Sequence, residues 1–325
     1  MANNVLNQLS CAKALSNTGL PTCFFNPKNI EGCILIPKGT TYTQTQQLTL
    51  PTVLAAAAIN DNIALRIFPI KRFIDFEDQT EDNPTQTFGY GGKEKIRQGK
   101  YAWYFMYNNG GMALHTALYS FDGQQELYDV IFIDNKNNCL WGVVKGTNMN
   151  ELGGFNIEML DVKNIKLNTG AASTVYGLGF CLEDPDEVNI LTAYYQFPTS
   201  YKVLSQLSGL KNIQVVVHTP MATGLVKLKL MSAGVDLYDL YSTPLATASL
   251  YTATGQATQA GITITSVTAT AATKTFDVLV DVLDADYIAV GATGYIDITI
   301  GGVAALVAAL VVGYGNTQIS VVRGS

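Results

Sequence analysis

The apolar side chains of this sequence come in short runs rich in β-branched and aromatic residues, each closed off by Pro, Gly or a polar cluster. Runs of that kind predict strands over Cys33–Pro37, Arg66–Ile74, Lys100–Asn108, Asp129–Ile133, Cys139–Val144, Phe155–Val162 and Ser173–Leu182. Asp134–Asn138 reads as the polar tip of a hairpin, and Asp75–Gly92 as a long polar and aromatic loop. Two segments predict helices instead. Pro51–Leu65 has an alanine run and a proline suited to a first turn. Met112–Phe121 places Met112, Leu114, Ala117, Leu118 and Phe121 at helical spacing, between an Asn109-Gly110 turn and an Asp122-Gly123 stop.

That order of elements predicts a mainly β chain whose first, α+β domain is an antiparallel sandwich or barrel flanked by short helices. After about Leu210 the text changes to Thr, Ala, Val and Gly, with Asp carrying most of the charge. Turn residues around Ser200–Lys211 place a boundary there, giving domains over residues 1–205 and 206–325. Ile213–His218, Val226–Met231, Gly261–Thr268, Thr275–Val282, Gly294–Ile300 and Ile319–Val322 predict a second, immunoglobulin-like β-sandwich. It would lack the inter-sheet disulfide of antibody domains, because no Cys follows Cys181. Val303–Val312 fits a short helix as well as a strand, and it is too short to cross a bilayer.

The 325 residues are 48% hydrophobic, enough for a sizeable core, yet only 14% are charged against about 25% in ordinary soluble domains. Two explanations fit: surfaces meant to be covered by neighbouring molecules, or an all-β protein with a quiet surface. A net charge of -6 argues against a protein that grips nucleic acid by neutralising phosphates. The most basic stretch, Lys93–Lys100, is interrupted by Glu94 and reads as a solvated strand edge or turn. Met1–Leu9 offers no basic region followed by an apolar run, so classical export is not expected. Cys11, Cys23, Cys33, Cys139 and Cys181 are scattered, as reduced thiols made in a cytoplasm would be.

Few residues invite a chemical role. His115 lies on the second helix between apolar neighbours and His218 ends a Val-rich strand before Thr219-Pro220, so they read as a core or interface imidazole and a strand-end residue rather than as a catalytic base. Their separation and the cysteine spacing predict no metal site. Carboxylates gather at Glu77, Asp78, Glu81 and Asp82 and again at Glu183, Asp184, Asp186 and Glu187, where a glycosidase pair or solvated turns would both fit. Phe88–Lys93 is glycine-rich but matches neither a Walker loop nor a dinucleotide fingerprint, so Phe88 and Tyr90 read as anchors on a pliable loop. Tyr101, Trp103, Phe105 and Tyr107 would share one strand face as core, with Tyr104 opposite. No catalytic residue, cofactor or metal is predicted.

Asp78-Gln79-Thr80-Glu81-Asp82, Phe88-Gly89-Tyr90-Gly91, Gly99–Phe105, Leu114–Phe121, Asp129–Asp134, Gly154-Phe155 and Leu182–Pro185 carry a resemblance over about residues 20–195. In these stretches the first domain resembles the tail-tube proteins of tailed bacteriophages. The resemblance implies a subunit made in a host cytoplasm for a virion, with no catalytic residues. Its partners would be copies of itself in stacked hexameric rings, other virion proteins, and DNA as passing cargo, with no membrane. Asp75–Lys95 would then be the loop that reaches a neighbour, with Phe76, Asp78, Glu81, Phe88, Tyr90, Lys93 and Lys95 making the contact. Related readings are a capsid-decorating, neck or ring protein, and a module binding glycans or a host surface. The binding module would use Tyr238, Tyr241, Tyr251, Tyr287, Tyr295 and Tyr314. The long N-terminal stretch with Cys and Pro departs from the tail-tube pattern.

Overall fold

Residues 26–322 are described by a computed structural model, apart from 61, 108–110, 137, 148, 167–174, 233–234, 257–258, 286, 288–294, 302–304, 307–313 and 316–317. Met1–Leu9, Cys11, Cys23, the Asn109-Gly110 turn and most of Val303–Val312 lie outside the described residues. The chain is mainly β with a few short helices, and it divides between Ser208 and Gly209 into two units. No helix among the described residues is long and apolar enough to cross a membrane.

The first unit runs β1 (Ile30–Pro37), β2 (Thr41–Tyr42), α1 (Gln44–Leu48), α2 (Leu50–Ala58), β3 (Phe68–Lys71), β4 (Asp75–Asp78), β5 (Thr85–Thr87) and β6 (Lys93–Lys95). It continues through β7 (Ala102–Tyr107), α3 (Gly111–Tyr119), β8 (Tyr128–Asp134), β9 (Cys139–Lys145), β10 (Glu151–Gly153) and β11 (Phe155–Lys166). The last elements are β12 (Val175–Leu182), α4 (Pro185–Asn189), β13 (Thr192–Gln196) and α5 (Val203–Gln206).

β1, β8 and β9 are apolar at nearly every position because both faces of their sheet are covered. Cys33, Leu35, Val130, Phe132, Trp141 and Val143 point into a core shared with β7, β11 and β12. Their alternate neighbours Ile34, Ile36, Ile131, Ile133, Leu140 and Val144 point into a second core under α2 and α5. Antiparallel register, Cys33 against Phe132 and Ile34 against Ile131, keeps each set on its own face. The two sheets are joined by β11, which pairs with β8 at Phe155 and with β12 further on. Gly154 permits the crossing, since a Cβ there would lie 2.7 Å from the Asp129 Cβ. The result is a β-sandwich with α2 and α5 on one outer face, while α3 and α4 pack against the core between the sheets.

α2 buries Leu50, Leu54 and Ala58, one residue per turn, with Pro51 in its first turn. It stops seven residues before the expected end at Leu65, because Asn60 and Asn62 cap a separate 3-10 turn: their side chains accept from Asn62 N and Ala64 N. α1 was not expected. Thr43 and Gln46 form a reciprocal capping box that starts it.

The second unit runs β14 (Lys211–Asn212), β15 (Gln214–Ala222), β16 (Leu225–Ser232), β17 (Val235–Asp236), α6 (Tyr238–Leu245), β18 (Tyr251–Gly255) and β19 (Gly261–Ile262). β20 (Ile264–Thr270), β21 (Thr275–Val280), β22 (Tyr295–Ile300), β23 (Tyr314–Gly315) and β24 (Gln318–Val322) complete it. One sheet orders its strands β15-β16-β21-β20 and the other β19-β18-β22-β24. In immunoglobulin lettering these are A-B-E-D and C′-C-F-G. Inward residues alternate strictly along β16 and β22, so Leu228, Leu230, Phe276, Val278, Ile296 and Ile298 share a single core. β15 does not end at His218 as expected; it continues through Pro220, which an edge strand with register shifts accommodates.

Candidate functional site

Asp75–Gly92, expected as a loop, is instead a strand followed by a hairpin. β4 pairs with β7, Asp78 lying opposite Trp103, and the pairing continues as Gln79 N donates to Ala102 O and Glu81 N to Lys100 O. Beyond Pro84 the chain leaves the sandwich sheets, and β5 pairs with β6 alone, Thr85 against Lys95 and Thr87 against Lys93. Gly91, with φ +84°, closes the tip, where Phe88 N donates to Gly92 O. β4 and β5 were missed because Asp-Phe-Glu-Asp and Thr-Gln-Thr carry no apolar alternation, whereas β6 is the solvated edge strand that Lys93–Lys100 offered as one of two readings.

The hairpin has a firm root and a bare shaft. At the root, the Arg97 guanidinium donates to both carboxylate oxygens of Glu81 at 2.7 and 2.8 Å, a bidentate pair. Gly99 N donates to Asn83 Oδ1, and the legs cross so closely there that a Cβ on Gly99 would lie 1.9 Å from Glu81 O. Along the shaft, every residue of β5 and β6 is exposed, and Ile96 is 63% exposed.

The expected contact residues separate into three groups. Phe76 turns inward: half-buried, it packs against Phe105 and Trp103, with ring centroids 5.5 and 6.5 Å away, and so anchors β4 to the core. Asp78 and Glu81 serve the root, Asp78 accepting from Thr80 N and Oγ1 and Glu81 from Arg97. Phe88, Tyr90, Lys93 and Lys95 come together on the hairpin. Phe88 and Tyr90 stack at 6.1 Å, with Tyr90 90% exposed, and Lys95 Nζ donates to Gln98 Oε1. Arg97 and Ile96 belong to the same structure and were missed, since a root ion pair sixteen residues apart leaves no local signal.

Most other candidates are absorbed by packing. The His115 ring meets Tyr176 edge-on at 5.7 Å, and His218 is exposed beside Thr219 Oγ1. Trp103, Phe105 and Tyr107 are core, as their shared strand face predicts, while Tyr104 lies opposite under Lys163 Nζ, 3.7 Å from the ring centre. Of the carboxylates, Glu187 is buried and held by Asn156 N, Asn156 Nδ2 and Lys145 Nζ at 2.7, 2.8 and 3.2 Å. Burial raises its pKa against these donors, and burial likewise raises that of Asp129. Burial lifts the Cys33 and Cys139 thiols, and lifts Cys181 to about 11, which keeps all three protonated at neutral pH. In the second unit Tyr251 and Tyr287 are buried and Tyr238 and Tyr241 pack on the core, leaving Tyr295 exposed; the Tyr314 side chain lies outside the described residues.

No protein-family model matches the sequence, and no curated protein is significantly similar to it.

Proposed function

We propose that this chain is a structural subunit that assembles with copies of itself, using the Pro84–Ile96 hairpin as the arm that reaches a neighbour. The supporting observation is a hairpin whose strands bury nothing in their own chain. A lone two-stranded hairpin is marginal in water, so a rooted one with free edges suits strand addition to a second surface. Charge favours a second copy as that surface: the arm carries Lys93 and Lys95, whereas the chain as a whole has 26 acidic and 20 basic residues. Stacked tyrosine and phenylalanine at the tip supply an apolar anchor.

The resemblance to tail-tube proteins sharpens this proposal to stacked hexameric rings that form a conduit for DNA in a virion. An acidic, base-poor lining would let phosphates slide without sticking. Electron microscopy of the purified chain tests it: hollow polymers support the tube, isolated rings a neck or connector role. Monomers at high concentration would overturn both. Replacing Thr85–Lys95 by a short glycine linker is expected to abolish assembly while leaving circular dichroism unchanged.

A further inference from the structure

A cleft of about 690 Å³ opens on the first unit, between the end of β3 and α5, and none of its lining residues belongs to the arm. Lys71, Arg72 and Lys202 line it, together with the hydroxyl-bearing Ser205 and Ser208. Elsewhere in this unit Lys38, Arg97, Lys100, Lys145 and Lys163 each meet a carboxylate. Lys71, Arg72 and Lys202 have no such ion pair among the described residues; neither do the exposed Lys28, Lys93, Lys95 and Lys136, but these three gather in one cleft of a chain of net charge -6. Two carboxylates also line the cleft, Glu31 and Asp134. Asp134 is fully buried and engaged, accepting from Lys136 N and Trp141 Nε1.

The backbone adds a second observation. Arg72 sits at φ +73°, in the left-handed region that glycine occupies without strain and a long side chain does not. The turn itself sends Phe73 into the core, and Arg72 N and Phe73 N both donate to Glu31 O. A glycine would make that turn at lower cost, so the strain at Arg72 is an outlier for which a ligand of the guanidinium would supply a reason. Lys71 is half-buried beside it, and burial together with the Arg72 charge lowers the Lys71 pKa. Two adjacent cations held in mutual repulsion at the wall of a polar cleft are stabilised by an anion placed between them.

We propose that this cleft is an oxyanion site, taking a phosphate group held by Lys71, Arg72 and Lys202, with room beside it for a small organic remainder. The test is calorimetric titration of the full chain, at constant ionic strength, with inorganic phosphate and separately with glucose 6-phosphate. Saturable binding of either, weakened roughly tenfold or more in Lys71→Gln/Lys202→Gln, supports the site. Tighter binding of the ester assigns an organic phosphate, and tighter binding of inorganic phosphate assigns the bare oxyanion. Arg72→Gly separates binding from folding: the proposal expects weaker phosphate binding with no fall in the denaturation midpoint. Absence of saturable binding, or binding undiminished in the double variant, overturns it.

Discussion

Two hairpins of the first unit are held by opposite means. β8 and β9 pair from Phe132 against Trp141 to Asp134 against Cys139, and nearly all their residues are buried between two cores. β5 and β6 pair over a similar length, and none of their residues is buried. The first hairpin is fixed by burial on both faces, because a slip of register would put each large apolar side chain into the core shaped for its neighbour. The second has its turn, its backbone hydrogen bonds and the Arg97–Glu81 root. Burial therefore fixes the frame, while local geometry alone shapes the arm.

The sharpest break of this contrast is Phe132→Ala. Its ring meets Trp103, Phe105, Phe155 and Phe180 with centroids 5.4–5.6 Å away, and it has no exposure at all. A loss of about 3–5 kcal/mol is expected in urea unfolding. Gly179→Ala should cost less, about 1–3 kcal/mol, because its Cβ would lie 2.2 Å from the Tyr104 ring, which Lys163 covers. A Gly179→Ala protein of wild-type midpoint would show that Tyr104 swings aside freely.

This difference in holding forces also decided what the sequence could reveal. Strands buried on one or both faces announce themselves through apolar composition, as Cys139–Val144 and Thr275–Val280 do. Their boundaries were read to within a few residues for that reason. β4 and β5 were hidden because a polar strand is specified by its partner: that of β4 is β7, a separate segment of chain, and that of β5 is the equally polar β6. β13 was missed similarly: Thr-Ala-Tyr-Tyr-Gln gains its place by pairing with β9. Phe76 illustrates the cost at the candidate site. Read as part of a loop it looked available to a neighbour, whereas strand alternation turns it to the core and leaves Glu77 outside. The cleft cations Lys71 and Lys202 lie far apart in sequence, and only the fold brings them to one cleft.

A smaller effect comes from the buried carboxylate of Glu187. Its pKa is raised in the folded state by burial, so the native chain binds the proton more tightly than the unfolded one. The contribution from this group is fully present below the ordinary carboxylate pKa and is lost as pH rises through the raised value. The difference in unfolding free energy between the wild type and Glu187→Gln should therefore decline from about pH 4 upwards. A flat difference would mean that Lys145 and Asn156 compensate the burial completely.

The smallest folding effect belongs to the arm, and it carries the comparison furthest. Tyr90→Ser removes a side chain that is 90% exposed and that, among the described aromatic rings, stacks on Phe88 alone, so monomer stability should change by less than about 0.5 kcal/mol. If the arm is held by a neighbouring copy, the same substitution should shift self-association to higher concentration in sedimentation experiments, because the ring would be buried there. Lys93→Glu adds an electrostatic counterpart: it replaces a cation on a fully exposed strand, and it should slow association most at low salt. A Tyr90→Ser chain that folds and associates like the wild type would leave the hairpin as an ornament of the fold, stable by its turn and root without any partner.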